Sequence, residues 1–250
     1  MSGKRIPNAM KYEFIAPNKK QIIIGLILSY IYIFSRRHVA GLLTHIPAIS
    51  NPDDLGHHLT VLVRTTVLVI FFILLRGNIL QFLKDFKDSK FKDNFKWIMK
   101  GIVYWILFRV VYVALLLLIK VLLHIDTTIL FDGDSINQSS IDEVIAAFPI
   151  YIIHVKLLAP IGEEIVCRYI LFHSFRNKGG AFAIILSSLI FGLCHVTGEF
   201  AQGMYWVGLY NLIGYMIHGL ANALIYERRR NLTHCMILHI LNNLIFTLIR

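Results

Sequence analysis

Long apolar runs alternate with short polar stretches along the whole chain. The runs fall at about 21–35, 58–76, 98–123, 143–160, 180–196, 205–226 and 232–249. About 20 apolar residues suffice for one helix to cross a bilayer. The pattern therefore predicts an all-α, polytopic transmembrane bundle of about seven helices. The less apolar segment 161–176 reads as a continuation of the fourth helix. No linker, composition break or internal repeat divides residues 1–250, so the chain is read as a single integral membrane domain.

Composition agrees with the pattern. Of 250 residues, 56% are hydrophobic and 16% charged, with a mean hydropathy of +0.64; soluble domains carry about 25% charged residues. A disordered chain is excluded, and a water-soluble domain of this size has nowhere to hide so much apolar surface. The net charge of +10 raises nucleic acid as a partner, but the placement of charge answers it. Seventeen of the 25 Lys and Arg lie in 1–20, 76–100, 172–180 and 228–230, while 38–57, 125–143 and 197–204 have none. That alternation follows the positive-inside rule. It predicts a multi-pass protein of the cell membrane with a cytoplasmic N-terminus, and no nucleic-acid partner.

The basic N-terminal stretch leads into the run 21–35 without a small-residue cleavage site. It reads as an uncleaved first span rather than a signal peptide. Within 76–100, lysines 84, 87, 90, 92, 96 and 100 interleave with Phe82, Phe86, Phe91 and Phe95. That spacing predicts an amphipathic helix on the inner face, held by anionic lipid. Asp132-Gly133-Asp134 lacks the rest of a calcium loop and reads as a turn in an external loop, 125–143. Cys167, Cys194 and Cys235 form no C-x-x-C pair and read as small buried hydrophobes.

Ionisable residues inside spans are costly and point to function. Arg64, Arg109, His154 and Lys156 read as structural. Three clusters are stronger. In Gly162-Glu163-Glu164-Ile165-Val166-Cys167-Arg168, ideal helical geometry puts Glu164 and Arg168 about 40° apart, close enough to pair, and Glu163 about 140° from Arg168. Glu164 is then neutralised in its own helix while Glu163 points elsewhere. A carboxylate in a low-dielectric site binds a proton more readily, which suits a general base near neutral pH. In the second cluster, Phe191-Gly192-Leu193-Cys194-His195, Phe191 and His195 share a helix face. The third is His239 with Asn242 and Asn243, of which His239 and Asn243 share a face. On three separate helices, these groups can line one polar cavity.

No G-x-S-x-G elbow and no H-E-x-x-H zinc helix is present. What remains is water activation by a carboxylate with histidine help, a second histidine and an asparagine donating to a developing oxyanion. No cofactor is expected; zinc held by Glu163, His195 and His239 is the alternative.

The order Glu163-Glu164-x-x-x-Arg168, Phe191-x-x-x-His195, His239-x-x-x-Asn243 on successive apolar helices resembles the CPBP family of intramembrane proteases. That family includes the type II CAAX prenyl endopeptidases and the bacterial Abi and bacteriocin-immunity proteins. The resemblance covers about 140–250, the expected catalytic core, and nothing nameable precedes it. It implies that Glu163 and His195 activate the attacking water, that His239 and Asn243 form the oxyanion hole, and that Glu164 and Arg168 support the site, without a metal. It implies a peptide or lipidated protein substrate within the membrane. The chain's length and its Lys, Ile and Asn content lean towards the bacterial members, which are tied to bacteriocin immunity or peptide-signal maturation. A non-enzymatic immunity or binding protein is the alternative.

Overall fold

The computed structural model describes residues 13–43, 45, 52–123 and 135–249. Among the described residues every regular element is helical, as lipid requires of an open chain whose backbone groups must pair internally. In chain order these are α1 (Lys19–Leu43), α2 (Pro52–Leu74), α3 (Arg76–Asp88), α4 (Phe91–Leu123) and α5 (Ile136–Ala147). Next comes α6, a continuous helix over 151–176, followed by α7 (Gly180–His195), α8 (Thr197–Ala201), α9 (Tyr205–Arg229) and α10 (Leu232–Ile249). Among the described residues, Lys19–Leu43, Asp54–Leu74 and Phe91–Leu122 are long and apolar enough to cross a membrane. Gly180–His195 and Leu232–Ile245 are shorter apolar helices.

Several boundaries differ from the sequence reading. The span expected at 143–160 is two helices. Pro149 lacks an N–H and disfavours helical geometry in the residue before it, so α5 ends at Ala147 and α6 starts at Tyr151. The expected external loop 125–143 is helical from Ile136 onward. Asp132-Gly133-Asp134 lies outside the described residues, as do Lys4, Arg5 and Lys11. The first span does not stop at Arg36 and Arg37, which are exposed along α1 as it runs on to Leu43. The expected inner-face helix breaks at Ser89 and Lys90. Its first half is α3, with Ile79 and Phe82 buried; its second half, including the exposed Phe91 and Phe95, begins the 33-residue α4.

α6 is the most constrained element. Two π-helical stretches, His154–Leu158 and Ile165–Leu171, interrupt its α-helical pieces. All seven residues of the second stretch are buried. Close approach of α1 depends on Gly162, where a Cβ would stand 2.5 Å from the Tyr32 hydroxyl. α7 and α9 are brought together at Gly219, where a Cβ would lie 3.1 Å from Ser188, the small-residue contact common between membrane helices. Phe71, Leu75, Phe82, Tyr169, Phe172, Ile225 and Tyr226 fill the core at one end of the bundle.

The basic stretches meet at that end. Arg176 grips Glu227 through two hydrogen bonds of 3.1 and 2.8 Å. Arg229 donates to Ser89 Oγ at 2.8 Å, and Arg228 reaches the Tyr104 hydroxyl. The turn into α10 is tight: Arg230 adopts a left-handed conformation (φ 57°), and Asn231 Oδ1 accepts from the Thr233 N–H at 2.9 Å. This cap fixes the helix that carries His239.

Candidate active site

α6, α7, α9 and α10 converge on Glu163 and Glu164. Although adjacent, these carboxylates face different surroundings. Glu164 is fully buried. Its Oε2 meets Arg168 Nε at 3.1 Å, a charge contact without hydrogen-bond alignment. Its Oε1 accepts from His239 Nδ1 at 2.9 Å and from Asn222 Nδ2 at 2.9 Å. The Arg168 guanidinium also lies over the Phe191 ring, 5.4 Å from its centroid. Glu164 is thus held from α9 and α10 as well as from its own helix, which the local spacing did not reveal.

Glu163 is only partly buried and turns the other way. Its Oε2 lies 3.7 Å from His195 Nε2 and 3.6 Å from His239 Nε2. His195, the last residue of α7, bonds through Nδ1 to the Phe191 carbonyl at 2.7 Å. A carbonyl only accepts, so Nδ1 carries a proton, and Nε2 is the atom turned towards Glu163. The ring is sandwiched between Phe191 and Tyr215, both with centroids at 4.5 Å. His239 spans the two carboxylates, Nδ1 on Glu164 and Nε2 beside Glu163. Asn243 follows one turn later on α10 and is partly buried, with Asn242 Nδ2 3.5 Å from its Oδ1.

The structure therefore brings Glu163, His195 and His239 together around one carboxylate oxygen and places Glu164 and Arg168 behind them. Arg64 donates to Ser35 Oγ at 3.0 Å and covers the Tyr32 ring. His154 is buried in the first π-helical stretch. Cys167 and Cys235 are buried and Cys194 partly so, and all three are unbridged.

Four residues went unread in the sequence. His218 and Asn222 are one turn apart on α9, the same spacing that marked the other clusters. The His218 ring lies 4.5 Å from that of His239, and its Nε2 has no hydrogen-bond partner among the described residues. Tyr215 stacks on His195, and Glu199 is completely buried in a segment read as a polar connection.

One set of metal-ligating types is compact: donor atoms of Glu164, His218 and His239 lie within 4.8 Å of one another. It suits a cation poorly. Glu164 Oε1 already accepts two hydrogen bonds, and Arg168 places a positive charge 3.1 Å from Oε2.

A family description, "Type II CAAX prenyl endopeptidase Rce1-like", matches residues 145–245, which contain all three motifs. The "Membrane-embedded CAAX protease MroQ" of Staphylococcus aureus is 30% identical over 170 residues, 64% of this chain and 68% of that protein. The chain belongs to the CPBP family of membrane CAAX proteases. Two further relatives match shorter stretches. The "Putative membrane peptidase YdiL" of Bacillus subtilis is 32% identical over 111 residues, 44% of this chain and 41% of that protein. An uncharacterized protein of Mycoplasma capricolum is 35% identical over 97 residues, 38% of this chain and 26% of that one. The matches thus span about a quarter and two fifths of those two relatives. No solved structure matches the chain. For a CPBP protein, the three motifs occupy the positions where the helices converge.

Proposed function

We propose that the protein is a glutamate-dependent intramembrane endopeptidase. The observation that carries this reading is the position of Glu163 Oε2, 3.7 Å from His195 Nε2 and 3.6 Å from His239 Nε2. A water between Glu163 and His195 gives one proton to the carboxylate as its oxygen adds to the scissile carbonyl. The oxyanion receives N–H donors from His239 Nε2 and Asn243 Nδ2. With Nδ1–H already on Glu164, donation from Nε2 uses the cationic ring, and Glu164 supplies the counter-charge. Collapse of the intermediate expels the amine, which takes the proton held by Glu163. Glu164 and Arg168 hold His239 and the helix in place. No step needs a metal, so cleavage is expected to survive exhaustive chelation. Stoichiometric zinc whose removal abolishes cleavage and whose return restores it would overturn that.

The substrate class is a peptide or lipidated protein lying in the membrane, with self-immunity to a bacteriocin or maturation of a peptide signal as the setting. The N-terminus, the 76–100 stretch and 228–230 are assigned to the cytoplasm of a bacterial cell, and 125–143 to the outside, with membrane lipids as the remaining partners.

The test uses purified protein in lipid vesicles. Two internally quenched probes are offered, one a farnesylated peptide ending in a CAAX motif, the other an unmodified hydrophobic peptide. Cleavage of either by wild type and its loss in Glu163→Gln at normal abundance is the expected result. Equal cleavage by both proteins would end the protease reading and leave a binding-type immunity protein as the better account.

A further inference from the structure

The most elaborate polar cluster outside the site surrounds Glu199. This carboxylate sits on the five-residue α8, beyond the end of α7, and is completely buried. Its Oε1 accepts from Ser135 Oγ, from the Ile136 N–H and from Asn211 Nδ2, each at 3.2 Å. Three separate segments are thereby fastened to one oxygen: α8, the first turn of α5 and the first half of α9. A carboxylate only accepts, so the Ser135 hydroxyl proton is committed to Glu199. The Tyr215 hydroxyl, 3.2 Å from Ser135 Oγ, must then donate to it, and Tyr215 in turn accepts from Asn137 Nδ2 at 3.2 Å. One charge therefore sets the direction of the whole chain of bonds. That chain ends at the Tyr215 ring, which stacks on His195 with 25° between planes.

His195 has one hydrogen bond to hold it, on Nδ1. That bond leaves the ring free to rock about its own axis. The flanking faces of Phe191 and Tyr215 remove that freedom together, and Tyr215 is itself pinned by Ser135 and Asn137. We infer that Glu199 is a positioning residue for His195, acting through Ser135 and Tyr215 by clamping the start of α5 across the site. This rests on the role given to His195 above. Glu199 touches no reacting atom. Its contribution is the orientation of Nε2, and misplacing a catalytic group by about 1 Å can cost about 10²-fold in rate.

The test has one readout that depends on cleavage and one that does not. A Cβ at Gly198 would stand 3.4 Å from the Ile136 Cβ, about the separation a disulfide needs. Ile136→Cys with Gly198→Cys, oxidised with copper phenanthroline in isolated membranes, should cross-link efficiently when Glu199 is present and poorly in Glu199→Ala; single-cysteine controls exclude the native thiols. Equal yields would overturn the clamp whether or not the protein cleaves anything. Kinetics use whichever quenched peptide wild type cleaves. Glu199→Ala should lower kcat about ten- to a hundredfold with KM and abundance little changed. Glu199→Gln, which keeps the accepting oxygen, should retain most of the rate, and the fraction of Glu199→Ala that does cross-link should recover kcat. A normal kcat in Glu199→Ala would overturn the inference. So would a disulfide that fails to rescue it, or one that abolishes cleavage when Glu199 is intact, since α5 would then have to leave the site. If wild type and Glu163→Gln are alike inactive, the protease reading fails while the cross-linking yield still reports on Glu199.

Discussion

Along α4, Val103, Ile106, Leu107, Val110, Val111, Leu117 and Leu118 turn away from the protein, whereas from Ile165 to Leu171 in α6 no side chain does. Both are helices of one bundle, but their environments differ. Lipid accepts the aliphatic face of α4, so those residues hold the helix in the bilayer with little protein contact. α6 has no such outlet. Arg168 and Glu164 can be stabilised only by neighbouring protein groups, because an isolated charge in a low-dielectric interior is very costly. A substitution in α6 should therefore be read through its partners, and one on the outward face of α4 through hydropathy alone.

The sharpest break in that contrast is Glu163→Gln. The side chain is only partly buried and its loss leaves no buried charge unpaired, so membrane abundance should stay normal. Cleavage should fall by about 10²–10⁴-fold, the usual worth of a general base; quantitative immunoblotting beside the peptide assay checks both. Its neighbour should behave differently. Glu164→Gln strips Arg168 of its counter-charge and disturbs the bond to His239. Removing one partner of a buried pair costs about 3–5 kcal/mol, so abundance and thermal stability should fall along with activity. If Glu164→Gln instead matched Glu163→Gln in abundance, the contrast between the two carboxylates would be wrong.

Smaller losses are expected on α10. His239→Ala and Asn243→Ala should each reduce kcat by about 10²–10³-fold, the range for losing an oxyanion donor. The smallest effect is expected on α4. Leu107→Ala and Val110→Ala should change stability by no more than about 0.5 kcal/mol and leave cleavage intact. A clear loss at either position would show that α4 faces protein rather than lipid.

What the sequence revealed follows the same division. α2 and α4 were legible because a lipid-facing helix advertises itself by composition. The break at Pro149 was not, since the apolar run continues through it and hydropathy cannot see a missing N–H. At the site, same-face spacing found Glu164 with Arg168 and Phe191 with His195, contacts within one helix turn. The bond from His239 to Glu164 joins residues 75 positions apart, and no local rule reaches that far. His218 and Asn222 did carry the one-turn signal. Glu199 carried none, because a lone acid in a polar connection looks the same whether it meets water or closes a buried junction.

The wide turns at Ile165–Leu171 also set a phase. Upstream of them lie Glu163 and Glu164. Downstream, His173 meets the Tyr226 hydroxyl at 3.0 Å and Arg176 grips Glu227. A π-helical stretch holds one more residue than the α-helical ladder would allow. Inserting a further residue there, beside the extra one the wide turns already hold, would rotate one end against the other by about 100°. The glutamates and the arginine clasp could not then both keep their partners. Point substitutions at most of these seven positions would test packing, whereas a one-residue insertion would test alignment, and the helix has no further slack to absorb it.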